Sequence, residues 1–257
     1  MSKSNSLLDF AREIAREAGE LLMLNFGSKH NEVEKESFHS IVTDIDISAE
    51  SLLVSKIRNK FPEHSIVSEE AGFSLLSSEY CWVIDPIDGS SYFARGLPTF
   101  SVSIALLYKG HLILGVIENP CFKETFYAVV GGGAFLNGAL ISVSKVSQMN
   151  QSVVNFGHRF IRLNEFNAHA TKLLKSIRSI RGGGSCAQEL CQIACGRMDG
   201  LVTLNQSSWD FFAGKLILEE AGGKLTNLLG REISVVDALS ANTDIIASNR
   251  LIHSKFL

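Results

Sequence analysis

The spacing of apolar residues predicts a mixed α/β chain, one domain in two packed halves of about residues 1–145 and 146–257. Three observations carry this. Apolar residues recur at helical spacing near the start and again before Gly222-Gly223. Three strand-like runs follow one another with short turn signals between them. The second half then interleaves short apolar runs with helical ones. At 257 residues, 46% hydrophobic and 20% charged, the chain has a globular composition and length enough for a large core.

Leu7, Ala11, Ile14, Ala18 and Leu21 predict an amphipathic first helix, ended by Gly27 with Lys29 and His30 beyond. A second helix is predicted from Ile47 to Lys60, with Ala49, Leu52, Leu53 and Ile57 on one face and Phe61-Pro62 as its stop. Ser65-Ile66-Val67 reads as a short strand delivering Ser68-Glu69-Glu70. Cys81 to Ile84 reads as another, delivering Asp85-Pro86-Ile87-Asp88-Gly89, with Pro86 forbidding its continuation. From Thr99, SVSIALLY, HLILGVIEN and ETFYAVV are separated only by Lys109-Gly110 and Pro120-Cys121. Parallel crossovers need a dozen or more residues, so an antiparallel meander is predicted. The second half reads as a strand near Ser152–Phe156 and helices near Glu165–Ser176 and Ser185–Cys195. A strand over Gly200–Leu204, a helix over Trp209–Ala221 stopped by Gly222-Gly223, and a late strand at Ile245–Ala247 complete it.

Composition narrows the functional classes. With 24 Lys+Arg against 27 Asp+Glu the formal net charge is −3, so the sequence lacks the basic surplus of a nucleic-acid binder. The five cysteines form no CxxC pair, and the histidines form no HExxH or HxH array, which argues against zinc and thiol redox chemistry. No apolar run is long enough to span a membrane. The charged, amphipathic start does not resemble a signal peptide, and reduced cysteines point to the cytoplasm.

The informative segment is WVIDPIDGSSYF, at Trp82 to Phe93. A turn after the strand can bring Asp85, Asp88 and the Ile87 carbonyl to one side, an all-oxygen set suited to a hard cation such as Mg²⁺. Gly89 and Ser90 then open a short helix, whose unsatisfied N–H groups favour a phosphate. The alternative is a plain Asx-type turn.

This segment resembles the DPIDGT signature of the inositol monophosphatase family, magnesium-dependent, lithium-sensitive sugar phosphatases. Other stretches are similar to that family's motifs: VTDIDISAE at Val42–Glu50, SEEAG at Ser68–Gly72, GGGAFLNG at Gly131–Gly138 and SWDFFAGKLILEEAGG at Ser208–Gly223. The resemblance implies a layered αβαβα sandwich. It implies that Glu69, Asp85, Asp88 and Asp210 are metal carboxylates, with Ile87 adding its carbonyl, for about two to three Mg²⁺ ions. Asp46, Ser90 and Glu69 are the implied catalytic set, Asp46 pairing with the Ser90 hydroxyl to orient an attacking water. Gly89 and Ser90 would hold phosphate, with Ile87, Asp88 and Asp210 beside it. The segment Gly184, Ser185 and Cys186 would lie over the sugar, and Thr203 would contact its hydroxyls. The implied reaction is hydrolysis of a phosphomonoester without a covalent intermediate, inositol 1-phosphate leading. Related substrates are fructose 1,6-bisphosphate, histidinol phosphate and the 3'(2'),5'-bisphosphate nucleotides. The family also implies a homodimer.

Two positions depart from the family pattern. Ser90 stands where threonine is usual, keeping the hydroxyl but losing a methyl that restricts its rotamer. Thr203 stands where inositol-specific members place a glutamate, which loosens the substrate assignment more than the reaction. Rival readings are weaker. Cys191 to Arg197 fits a C-x5-R phosphatase spacing, yet Ala187, Leu190, Cys191 and Ala194 form an apolar helical face. Asp44-Ile45-Asp46-Ile47-Ser48 resembles the string of haloacid-dehalogenase-type phosphatases, but only Ile41-Val42 precedes it. Arg181-Gly182-Gly183-Gly184-Ser185-Cys186 lacks the GK[ST] ending of a nucleotide loop. His64 reads as a surface residue, and Trp82 and Trp209 as packing beneath the aspartate motifs. An inactive scaffold would have lost its clustered carboxylates first, because without a cation they repel one another. Asp46, Glu69, Asp85, Asp88 and Asp210 together would carry up to about −5 in one pocket.

Overall fold

The structure is a computed structural model and describes residues 3–28, 32–34, 41–74, 76–163 and 168–257. Lys29 and His30, expected beyond the first helix, and residues 165–167, expected to open a later one, lie outside the described residues.

Helix α1 (Lys3–Asn25) buries Leu7, Phe10, Ala11, Ile14, Ala18 and Leu22 on one stripe, and Gly27, at φ +79°, turns the chain away after it. Strands β1 (Glu32–Glu34) and β2 (Ile41–Thr43) pair antiparallel. Helix α2 (Asp44–Lys60) starts three residues earlier than periodicity predicts, because Asp44 and Asp46 in its first turn suit the positive end of the helix. Next come β3 (Ser65–Ser68), β4 (Gly72–Ser74), β5 (Tyr80–Asp88) and the five-residue helix α3 (Ser90–Ala94). The expected meander is β6 (Ser101–Tyr108), β7 (His111–Asn119) and β8 (Glu124–Val129), extended by β9 (Ala134–Leu136) and β10 (Ala139–Leu140). The remainder is β11 (Val153–Phe156), α4 (His158–Leu163), α5 (Ala168–Ser176), β12 (Ser179–Arg181), α6 (Cys186–Ala194), β13 (Gly200–Gln206), α7 (Ser208–Glu220), β14 (Lys224–Thr226), α8 (Val235–Ser240) and β15 (Thr243–Ser248).

Apart from the β1–β2 pair, these strands form two mixed sheets, in the orders β10-β9-β8-β7-β6-β5-β3-β4 and β12-β11-β13-β15-β14. Alternation along the strands of the first sheet separates its two faces. Ile66, Trp82, Ile84, Ile104 and Leu106 pack against α1 and α2, whereas Val67, Val83, Ala105 and Leu107 pack against α6 and α7. The same core takes in Leu201, Leu225 and Ala247, so α6 and α7 lie between the sheets. Val154, Phe156, Val202 and Ile246 face outward beneath Leu173 and Leu174 of α5. The result is a mixed α/β fold with αβαβα layering. Helix α7 approaches the sheet so closely that a Cβ on Gly115 would stand 2.7 Å from the Ala213 carbonyl.

Two expectations need correction. Strand β5 runs through Pro86 to Asp88, because the β5–β6 register slips between Asp85↔Ser103 and Asp88↔Ser101 and the resulting bulge accommodates the proline. His64 is half-buried, its ring stacked 4.7 Å from Phe61 and 4.6 Å from Tyr80, and its Nδ1 accepts from Trp82 Nε1 at 3.0 Å.

Candidate active site

Parallel pairing of β3 with β5, Ser68 opposite Ile84, brings the next residues, Glu69 and Asp85, out at the same sheet edge. The bulge adds Ile87 and Asp88. The N-terminal turn of α7 brings Asp210 from the far end of the sequence. All five line one cleft of about 250 Å³. Each aspartate has an oxygen committed to a protein donor. Asp85 Oδ1 accepts from Ile87 N at 3.0 Å, and Asp210 Oδ2 accepts from Ser207 N at 2.8 Å within a capping box. Asp88 Oδ2 accepts from Ser185 Oγ at 2.7 Å and Ala187 N at 2.6 Å.

Ser90 opens α3 with its hydroxyl 2.6 Å from Asp46 Oδ1 and 2.9 Å from the Ile87 carbonyl. Asp46 is fully buried behind Ser90 and does not line the cleft. Gly89 takes the left-handed conformation, φ 101°, and a Cβ there would stand 2.7 Å from the Thr99 carbonyl, so only glycine fits.

Burial, and then repulsion from Glu69, Asp88 and Asp210, pushes the Asp85 carboxyl well up. Burial likewise raises Asp88 to about 7, against the lowering effect of its Ser185 and Ala187 donors. Asp85 and Asp88, raised in this way beside Glu69 and Asp210, belong to a donor set whose charge a hard cation would offset. They fit a cation as a donor set, not as a finished cage: among the described residues no three His, Cys, Asp or Glu side chains already close around one point.

Gly184, Cys186 and Thr203 also line the cleft. Ser185 does not. Its hydroxyl turns inward to Asp88, meets Ser101 Oγ at 2.9 Å, and caps α6 by accepting from Gln188 N at 3.0 Å. The residue expected against the sugar therefore supports a carboxylate instead. Sequence reasoning missed Ser91, Tyr92, Gly157, Arg159, Glu189, Asn205 and Gln206 on the wall. Tyr92 and Ser91 sit inside the DPIDGSSYF stretch and could have been found there; Tyr92 Oη donates to the Gly183 carbonyl at 2.9 Å. Arg159 lies in the first turn of α4 and Glu189 in the first turn of α6, neither in a motif that sequence reasoning used, and only the fold points them inward. Burial raises Glu189 to about 8. Among the described lining residues, Arg159 alone is cationic.

The C-x5-R reading fails on packing. Cys191 is fully buried in the core, and Arg197 is spent on Glu124, at 2.7 and 3.0 Å.

Comparison with known proteins decides the family: the profile described as "Inositol monophosphatase family" matches residues 3–257. The chain belongs to the inositol monophosphatase family. It is 39% identical over 254 residues to a Thermotoga maritima protein named "Fructose-1,6-bisphosphatase/inositol-1-monophosphatase", covering 96% of this chain and 93% of that one. It is 32% identical over 250 residues to a Neisseria meningitidis protein named "Putative Nus factor SuhB", covering 95% and 96%. The solved structure of a Thermotoga maritima IMPase superposes with a TM-score of 0.89 at 37% identity, covering 98% and 95%. This is a family of phosphatases, generally metal-dependent. Among the described residues, no helix is long and apolar enough to cross a membrane.

Proposed function

We propose that this member of the inositol monophosphatase family is a Mg²⁺-dependent phosphomonoesterase acting on a sugar or polyol phosphate, inositol 1-phosphate first. One observation carries the reading: Glu69, Asp85, Asp88 and Asp210 face a single cleft beside the Ser90–Asp46 pair. Glu69, Asp85, Asp88, Asp210 and the Ile87 carbonyl would hold the metal, which when bound supplies charge neutralisation and a more acidic attacking water.

The chain's own residues do the rest. Asp46 accepts a hydrogen bond from the Ser90 hydroxyl, which leaves the lone pairs of Ser90 Oγ to accept from the attacking water and aim it at phosphorus. The backbone N–H groups of Gly89 and Ser90 bind phosphate oxygens. Ser185 and the Ala187 N–H hold Asp88 in place. The Gly184 and Cys186 backbone faces the sugar, and the Thr203 hydroxyl bonds one of its hydroxyls.

Arg159 favours a second reading, in which the cleft accepts a substrate with a second anionic group. The Thermotoga relative's name is in keeping with it. Both readings are tested by kcat/KM on inositol 1-phosphate, fructose 1,6-bisphosphate, histidinol phosphate and 3',5'-adenosine bisphosphate, with and without Mg²⁺. Highest turnover on inositol 1-phosphate supports the first reading, and highest turnover on a bisphosphate the second. No Mg²⁺-dependent turnover on any of the four overturns both, in favour of a non-catalytic scaffold.

A further inference from the structure

Glu69 reaches the cleft from the tip of a short hairpin. Ser68 of β3 pairs with Gly72 of β4, which leaves Glu69, Glu70 and Ala71 as the connecting turn. Strand β4 has only three residues and forms the edge of its sheet, so β3 is its one neighbouring strand. Short edge hairpins open readily, because few buried contacts and few backbone bonds fix them. A carboxylate at such a tip keeps its place beside Asp85, Asp88 and Asp210 only if something further holds the turn.

Glu50 meets that turn from α2. It lies one helical turn after Asp46, and both side chains are buried, at 5% and 0% exposure. Glu50 Oε2 accepts from the backbone N–H of Glu70, the residue next to Glu69, at 2.9 Å. Burial pushes the Glu50 carboxyl up, while the Glu70 N–H and, less strongly, the Ala71 N–H pull it down. Among the described residues no Lys, Arg or His forms an ion pair with it, and it does not line the cleft. A buried acid without a cation is costly, and here backbone donors of the turn offset that cost. Helix α2 thus reaches both parts of the site from positions one turn apart, Ser90 through Asp46 and the Glu69 turn through Glu50. We infer that Glu50 is a positioning residue, which holds the Glu69–Ala71 turn so that the Glu69 carboxylate faces the cleft. The inference rests on the reading of Glu69 as a metal carboxylate.

The test compares Glu50→Gln and Glu50→Asp with the parent by calorimetric titration with Mg²⁺, at a temperature where circular dichroism shows all three folded. Gln keeps the reach and one acceptor oxygen without the charge. Asp keeps the charge on a side chain one methylene shorter. Glu50→Asp should bind Mg²⁺ about 10- to 100-fold more weakly, the usual loss for a group that orients a metal ligand, with Glu50→Gln much closer to the parent. The kcat values should fall in the same order. The reverse order, Asp matching the parent and Gln weakened, would mean that only the charge acts, and overturns the inference. So does parent-like Mg²⁺ affinity in both variants, which leaves Glu50 a purely structural role whatever their melting temperatures. A parent that binds no Mg²⁺ overturns the metal reading of Glu69 itself. The two failures are therefore distinguishable, and neither measurement of binding needs turnover.

Discussion

Ser90 Oγ lies 2.6 Å from Asp46 Oδ1, although 44 residues separate them and they sit on different helices. Both side chains are buried, so neither has to give up much water to keep the contact. The bond leaves Ser90 in one orientation, which the missing threonine methyl would otherwise have helped to fix. Ser90→Ala is therefore expected to lower kcat about 10²- to 10⁴-fold, with KM and the circular dichroism spectrum little changed. Ser90→Thr should restore it. Parent-like kcat in Ser90→Ala would remove Ser90 from the mechanism.

Asp85 stands where three other carboxylates raise its pKa, so Asp85→Asn removes one member of a repelling group. Without metal the variant should melt at or above the parent's temperature. Added Mg²⁺ should raise the parent's melting temperature and not the variant's, and metal-dependent turnover should vanish. A Mg²⁺ response equal to the parent's would place the cation elsewhere.

Thr203 contributes one neutral hydroxyl to the cleft wall. Thr203→Val keeps its shape and should cost about 1 kcal/mol, roughly fivefold in kcat/KM, on polyol phosphates. A simple aryl phosphate, which lacks the polyol hydroxyls, should be hydrolysed as before. Equal losses on both would show a structural role for Thr203 and no part in specificity.

His253 is buried between Thr226 Oγ1, 2.9 Å from Nε2, and Ser248 Oγ, 2.8 Å from Nδ1. Burial, aided by Lys224 and Arg250, lowers its pKa to about 4. Between about pH 6.5 and 4 the unfolded chain therefore binds a proton that the folded chain does not, and stability falls as pH falls. Below about 4 both forms are protonated and this contribution levels off. His253→Gln should flatten the dependence across that window in denaturant melts. An unchanged slope would mean that other groups cause it.

Much of this was legible in the chain because it depends on near neighbours. Short apolar runs bounded by turn residues marked β5 to β8, and Gly222-Gly223 marked the end of α7. What escaped was short or irregular. Three-residue strands such as β12 and β14 are below any useful period. Pro86 argued for a stop, since its ring removes a ladder donor, but one slipped residue in the register against β6 absorbs that loss. His64 is polar and close to the cleft in sequence, yet stacking on Phe61 and Tyr80 half-buries it.

By itself the sequence determined which groups are available: oxygen-rich acids after strands, a hydroxyl after Gly89, and no reactive thiol motif. Side-chain type and local turn chemistry decide those. Only the tertiary structure decided where each group points. It carried Asp210 to Asp85 and Asp46 to Ser90, turned Ser185 from the cleft to Asp88, and placed Arg159 and Glu189 on the wall. The physical reason is that orientation follows from how distant elements pack. Layers of helix and sheet close by burying apolar faces, and the polar groups at their edges meet as a consequence.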